Sequence, residues 1–303
     1  MPGRSAPRPL PVASPAQEAR AAALERDLHR LASDIGERNT RRPKSLHAAG
    51  RFIEDELAAV GFTVQRQTYG VDGVECFNIE AEAKGASDRV VVIGAHYDSA
   101  RGSPGANDNG SGVVALLSLA RTFAARSDLR NAIRFVFFTN EEPPHFRTED
   151  MGSRRYADRA AATGDPIVAM ISLESLGSYS TEPRSQRYPL GFAFLFPEHG
   201  DFLAFVGNHD SRELLRASIG AFRRGSSLPS EGAVLSESTL GVDFSDHASF
   251  WRHDVAAIMV TDTALMRDDH YHTADDSVEH VDFDRLARAV EGLERVVEEL
   301  AAR

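Results

Sequence analysis

The chain has 303 residues, 42% of them hydrophobic, with a formal net charge of -11 and a single cysteine, Cys76. The acidic balance argues against a nucleic-acid partner, which requires basic patches, and no run approaches the ~20 apolar residues that span a membrane. One cysteine excludes an intrachain disulfide and a thiolate-rich metal site, so any zinc must be held by His, Asp and Glu.

The first 15 residues are rich in Pro, Ala, Ser and Arg and read as a disordered lead without the apolar core of a secretory signal, so the chain is expected to be cytoplasmic. Residues 16–303 read as one domain, with no internal repeat and no clean linker. Over 18–35, Leu24, Leu28, Leu31 and Ile35 fall on one helical face. After a polar link at 38–44, Ser45 is the expected cap of a second helix, striped by Leu46, Phe52, Ile53, Leu57 and Val60 and ended by Gly61. Residues 62–69 and 76–83 alternate like half-buried strands, with Gly70 and Gly73 marking the turn. A continuous apolar strand follows at 90–95, then a loop at 102–109, a helix at 110–126 and a second apolar strand at 133–138. Two more apolar strands are expected at 167–173 and 256–260. Continuous apolar strands separated by a helix indicate a parallel sheet covered on both faces. The span 178–245 is an elaborated loop region, with a strand candidate at 190–196, a helix at 213–223 and mostly loop at 226–242. The closing helix, 283–302, carries Leu286, Val290, Leu293, Val297 and Leu300 on one face and Asp282 as its cap.

Side chains that bind metal leave these strands at their carboxyl ends, where open α/β sheets build their sites. His96 follows the first apolar strand, and Asp98 can hold its other imidazole nitrogen and set the tautomer. Asp108 stands where a loop enters a helix; alone, it reads equally as a helix cap. Glu141 and Glu142 follow the second apolar strand and point different ways, so one carboxylate can bind metal while its neighbour faces a water as general base. Glu174 ends the third strand; alone, it reads as a cap or a salt-bridge partner. Of His270 and His272, beyond the fourth strand, one is the expected last ligand. Together these residues point to a two-zinc site that hydrolyses an amide.

The order His-x-Asp at 96–98, Asn-Asp-Asn-Gly-Ser-Gly at 107–112, Asn-Glu-Glu at 140–142, Glu174, Ser-Asp-His at 245–247 and Tyr-His-Thr at 271–273 resembles the co-catalytic zinc aminopeptidase family. That family includes bacterial leucyl aminopeptidases, the glutamate carboxypeptidase group and glutaminyl cyclases. The likeness spans residues 45–300. It implies a three-layer α/β/α sandwich around a mixed, mostly parallel sheet of about eight strands. It also implies two zinc ions per chain: His96 and Glu174 on one, Glu142 and His272 on the other, and Asp108 bridging them. Asp98 is then the partner behind His96, and Tyr271 resembles a tyrosine that steadies the oxyanion. Glu141 is the implied general base for a hydroxide held between the zincs, which attacks the N-terminal peptide bond of a peptide or aminoacyl substrate.

Neighbouring readings are a carboxypeptidase or other amide hydrolase, a glutaminyl cyclase, and a non-catalytic binding protein on the same fold; the full ligand set favours hydrolysis. Two features depart from the family pattern. Glu174 stands where the aminopeptidases usually carry Asp, and the segment 143–150 is longer than the common glycine turn and is expected to cover the pocket. Ser245, Asp246 and His247 read as support for the site wall, because no nucleophile elbow surrounds them. Nothing in the pattern indicates an oligomeric state.

Overall fold

Ser14 opens the first helix. Its hydroxyl accepts from the Gln17 amide, the Gln17 side chain accepts from the Ser14 amide, and Pro15 takes the first helical position. In the computed structural model, which describes residues 1–188 and 193–303, α1 (Pro15–Leu28) runs on into a wider π-type turn over His29–Ile35. Leu24, Leu28 and Leu31 are buried, as the periodicity predicts. The lead before it holds no helix or strand. It lies along the protein, with Arg8 paired to Asp201 and the Pro11 carbonyl accepting from Arg288.

The second helix, α2 (Pro43–Ala59), starts earlier than expected. Pro43, not a capping Ser45, sets its start, because the proline ring already holds the helical φ. β1 (Gln65–Val71) and β2 (Val74–Ala83) form a hairpin. Its turn is Asp72-Gly73, both at positive φ (52° and 80°), the requirement of the two-residue turn whose twist matches the strands. Gly70 therefore sits inside β1 rather than in the turn.

The remaining elements are β3 (Val90–His96), α3 (Gly112–Phe123), β4 (Ala132–Phe138), α4 (Gly152–Thr163), β5 (Ile167–Glu174), β6 (Leu203–Gly207), α5 (Arg212–Gly225), β7 (Ser230–Val234), α6 (His247–Trp251), β8 (Ala257–Thr261) and α7 (Phe283–Ala301). Asp282 caps α7, accepting from the Arg285 amide at 2.9 Å. The eight strands lie in the order β1-β2-β4-β3-β5-β8-β6-β7. β4, β3, β5 and β8 run parallel; β2 joins them antiparallel at one side and β6 at the other.

Every residue of β3 and β4 is buried. Val91, Ile93 and Ala95 face a core built with α1, α2, α3, α5 and α7, while Val90 and Val92 face a second core with Tyr156 of α4 and Phe250 of α6. The mixed sheet is thus sandwiched between two helical layers, as expected. No helix among the described residues is long and apolar enough to cross a membrane.

Four elements were not legible in advance, among them α6, a helix of five residues. α4 lacked a clear apolar stripe, and β6 and β7 have only five residues each. β7 falls in the stretch read as loop: Ser230-Glu231-Gly232-Ala233-Val234 has little apolar character and is held by pairing with β6. The strand candidate at 190–196 falls partly on residues 189–192, which lie outside the described residues. The rest, 193–196, forms a turn with Phe194 and Leu195 exposed, so apolar content there reflects surface and not a pleated strand.

Gly94, at the centre of β3, leaves room for the Phe138 ring and the Met170 methyl, and a Cβ there would collide with Phe138. Gly94→Val is expected to destabilise the fold by about 1–3 kcal/mol, the usual cost of overpacking a filled core. Urea unfolding compared with wild type measures it; an equal midpoint would contradict this packing.

Candidate metal centre

The carboxyl ends of the parallel strands bring the motif residues together. His96 ends β3, paired with Phe138 of β4, and Glu174 ends β5, paired with Thr261 of β8. Just beyond β4, Asn140 takes the left-handed conformation (φ 60°), which asparagine tolerates better than most residues, and the chain turns out of the sheet. That turn presents the amides of Glu141 and Glu142 to the two oxygens of Asp98, each at 3.1 Å. Asp98 Oδ1 also lies 3.5 Å from His96 Nδ1. One carboxylate therefore sets the relative positions of Glu141 and Glu142 and lies beside the His96 ring.

Asp108 is held from behind. Its amide donates to Asp276 Oδ2 at 3.1 Å, and the Asn107 amide donates to Asp276 Oδ1 at 2.7 Å. Asn109 locks the same loop to β5: its side-chain amide donates to the Leu173 carbonyl at 2.8 Å, and its carbonyl oxygen accepts from the Ser175 amide at 3.0 Å. Asp108 and Asn109 leave helical geometry (φ -103° and -122°), so Asp108 projects into the site instead of capping α3.

Two donor groups result. His96, Asp108 and Glu174 form one; Asp108, Glu142 and His272 form the other. His96 Nε2 lies 3.5 Å from Asp108 Oδ1 and 3.4 Å from Glu174 Oε2. His272 Nε2 lies 3.0 Å from both Asp108 Oδ2 and Glu142 Oε2. Asp108 belongs to both, one oxygen facing each. Glu141 belongs to neither, with Oε2 3.8 Å from His96 Nε2. His96, Asp108, Glu142 and Glu174 are buried. Among the described residues, His96 Nε2, Asp108 Oδ2, Glu142 Oε1 and His272 Nε2 have no hydrogen-bond partner. Buried polar atoms are normally satisfied, so a set left open and converging on two points fits a pair of cations. Imidazole nitrogens and carboxylate oxygens are donors zinc accepts.

The electrostatics agree. Burial raises the proton affinity of Glu141 well above the usual carboxylate range, and repulsion from Glu174 and Glu142 adds to it. Burial and Asp108 push Glu142 up to about 8. Glu174 is likewise raised, by burial first and by Asp108. Burial disfavours the charged form of His96, but Glu174, Glu141, Asp108 and Asp98 outweigh it and raise the net value. Asp108 alone is lowered, since the two imidazoles overcome its burial.

Of the two candidate last ligands, His272 reaches the site. It adopts a left-handed backbone (φ 61°), while His270 stacks on His280 at 3.9 Å and bonds to Asp268. Tyr271 stacks on the His272 ring at 3.9 Å. In the Ser-Asp-His motif, Ser245 Oγ donates to Glu174 Oε2 at 2.7 Å and lies 2.7 Å from Ser172 Oγ. The segment after Glu142 packs against Phe244, which lines an adjoining pocket, but contributes no lining residue of its own: Phe146 meets Phe244 edge-on at 6.0 Å, and Arg147 lies against both rings and pairs with Asp243. His145 bonds to Thr40 at 3.1 Å and lies in neither donor group.

Two supporting residues escaped the sequence reading. Arg38 was placed in a polar link, yet it is buried and donates to the carbonyls of Tyr97 (2.6 Å), Pro104 (2.5 Å) and Gly105 (2.7 Å), shaping the loop that carries Asp108. No local pattern marks it. Asp276 had a weak signal, an acid four residues past His272.

Fold and site together are those of a metallopeptidase. The chain belongs to Peptidase family M28, whose sequence profile matches residues 78–297. It is 34% identical over 279 residues to the uncharacterized protein YfbL of Escherichia coli strain K12, covering 89% of this chain and 85% of that one. A probable leucine aminopeptidase of Trichophyton verrucosum is 26% identical over 283 residues, covering 87% of this chain and 68% of that one. Among solved structures, BSAP, a zinc aminopeptidase from Bacillus subtilis, aligns with a TM-score of 0.69 at 17% identity, covering 98% of this chain and 97% of that one. The family resemblance and the fold class read from the motifs are thereby borne out.

Behind the site, His247 is fully buried, donates from Nε2 to the Val242 carbonyl at 2.8 Å and lies edge-on to Trp251. Burial lowers its pKa from 6.5 to about 4. The unfolded chain thus takes up a proton that the folded one refuses, and the stabilisation present above pH 6.5 is lost as pH falls toward 4. Between pH 7 and pH 5 the loss is expected to be about 2 kcal/mol. Urea unfolding of wild type and His247→Gln at both pH values isolates it as the difference between the two slopes. Equal slopes would contradict the neutral, buried assignment.

Proposed function

We propose that this peptidase is a di-zinc aminopeptidase, which removes the N-terminal residue of peptide or aminoacyl substrates with Glu141 as general base. Membership of Peptidase family M28 implies peptide substrates. The finer reading is carried by one observation: the two oxygens of Asp108 face separate donor groups, with His96 at 3.5 Å from one and His272 at 3.0 Å from the other. His96, Asp108 and Glu174 would hold one ion; Asp108, Glu142 and His272 the other. Two imidazoles favour zinc over magnesium or manganese. When bound, zinc supplies Lewis-acid polarisation of the scissile carbonyl and lowers the pKa of water.

The chain's own residues supply the rest. Glu141 is free of both donor groups, and its raised proton affinity suits a group that takes a proton from water and returns it to the leaving amine. Asp98 keeps Glu141 aimed by accepting its amide. Burial holds Tyr271 as the neutral phenol, able to donate a hydrogen bond to the oxygen on which charge develops. Glu174 and Glu142 offer carboxylates to the α-ammonium group of a substrate. The relative described as a probable leucine aminopeptidase supports an N-terminal cut.

Glu141→Gln is expected to retain two zinc ions per chain by elemental analysis and to lose about 10²–10⁴-fold in turnover of an aminoacyl p-nitroanilide. Wild-type turnover in that variant would overturn the role of Glu141. A wild-type protein that cleaves only N-blocked peptides would overturn the aminopeptidase reading.

A further inference from the structure

A cavity opens beside the candidate metal centre, and Glu174 and Tyr271 form part of its lining. Its floor is a sheet face. Glu174 pairs with Thr261, Thr261 with Ala204, and Ala204 with Glu231. Residues paired across strands present their side chains on the same face. Glu174, Thr261, Ala204 and Glu231 therefore form one row, from the metal centre on β5 to the edge strand β7. Three strand spacings separate its ends, roughly 14 Å. Met259, Val206 and Ala233 lie beside this row and also line the cavity. The rim is apolar too, with Leu240 and Leu265 exposed at 62% and 37%.

Glu231 stands at the far end of this row, on a lining that also holds Gln186, Arg187, Thr239 and Thr263. It is half-buried, and burial raises its proton affinity. It makes no hydrogen bond or ion pair with the described residues. Three cations lie in its field, Arg223, Arg8 and the Met1 ammonium; Arg8 pairs with Asp201, and Arg223 donates to Ser230 Oγ at 3.0 Å, the Ser230 carbonyl at 2.6 Å and the Pro2 carbonyl at 3.1 Å. Arg187, also on the cavity wall, is bound to Asp269 at 2.7 Å. A largely apolar channel that ends in a carboxylate with no direct partner among the described residues suits a ligand with an apolar stem and a cationic tip. Lysine and arginine have that form, and they bury their stems while the charged end finds a partner.

We propose that this cavity receives the side chain of the substrate's N-terminal residue and that Glu231 selects lysine or arginine there. The assignment rests on the aminopeptidase reading and adds its substrate class. A carbonyl placed at the metal centre sends the first side chain along the row. A leucine side chain stops over Thr261. The four-carbon stem of lysine, or the guanidinium arm of arginine, extends past Thr261 toward Ala204, and the Glu231 side chain leans inward along the row to meet it.

Matched substrates isolate the charge: lysine against norleucine, and arginine against citrulline, as aminoacyl p-nitroanilides with the zinc-loaded enzyme. In wild type the ratio of kcat/KM, cationic over neutral, is expected to be about 10–100-fold, and to fall toward one in Glu231→Gln with partial recovery in Glu231→Asp. Calorimetric binding of free lysine and norleucine reads the same preference without turnover. A wild-type ratio at or below one, or an equal ratio in Glu231→Gln, overturns the role of Glu231 while cleavage of all four substrates leaves the aminopeptidase reading standing. If none of the four is cleaved, that reading fails and takes the assignment with it.

Discussion

Asp108, Glu141, Glu142 and Glu174 share one buried volume with His96 and His272, and so much acid away from water is repulsive unless positive charge or oriented dipoles meet it. The backbone supplies the dipoles. Asp98 accepts two amides, and Asp276 accepts two more, including that of Asp108 itself. Arg38 supplies a fixed charge. Burial lowers its pKa to about 10, leaving it a cation at neutral pH, with Asp276, Asp98 and Asp108 in its field. Its guanidinium spends its hydrogen bonds on backbone carbonyls, so none of its donors competes for the inward-facing oxygens. The unbonded donor atoms that remain point at two positions, and a pair of divalent cations there would complete the balance.

This constraint explains the use made of the sheet. Strands buried on both faces cannot shift without disturbing two cores, so their ends are fixed platforms for His96 and Glu174. The loops beyond them take less common conformations, left-handed at Asn140, Ser175 and His272, and such residues persist where surrounding bonds over-determine them. The second helical layer is short. α4 packs on β2, and α6 packs on β5 and β8. Where this layer ends, the face that carries Glu174 continues uncovered across β8, β6 and β7 and becomes the cavity floor. The candidate metal site and the cavity are thus two regions of one sheet face.

Much of this was legible in the chain because the relevant signals are local. A six-residue apolar run followed at once by His-x-Asp reads as a buried strand with a candidate ligand at its end; Asn-Glu-Glu and Glu174 follow similar runs, and it is their combination that points to one site. The spacing rules also found the faces of α2 and α7. What stayed hidden depends on distant partners. β7 is a strand because β6 pairs with it, and its own five residues carry no period-two apolar pattern. Arg38 resembles any surface arginine until the 102–109 loop folds over it. His270 and His272 are chemically alike, and only the backbone turn at His272 separates them. The cap expected at Ser45 failed for a different reason: Pro43 offers an earlier start that needs no side-chain bond.

The one departure from the family pattern within the ligand set has a structural answer. Glutamate is a methylene longer than aspartate, and an unrestrained longer arm is a poor ligand because its rotamers must be frozen on binding. Here the arm is already fixed. Glu174 Oε2 accepts from Ser245, which is itself in contact with Ser172, and Oε1 accepts from Ser175 at 3.3 Å. The oxygen held by Ser245 is the same one that lies 3.4 Å from His96 Nε2. Three serines therefore do for the longer side chain what a shorter backbone-to-carboxylate distance would do for aspartate. Because Ser172 and Glu174 lie on one face of β5, and Ser245 opens the turn into α6, the second helical layer reaches the candidate metal site through this contact. The Ser-Asp-His motif thus acts as a brace on the proposed ligand, a role consistent with a wall and distinct from that of a nucleophile.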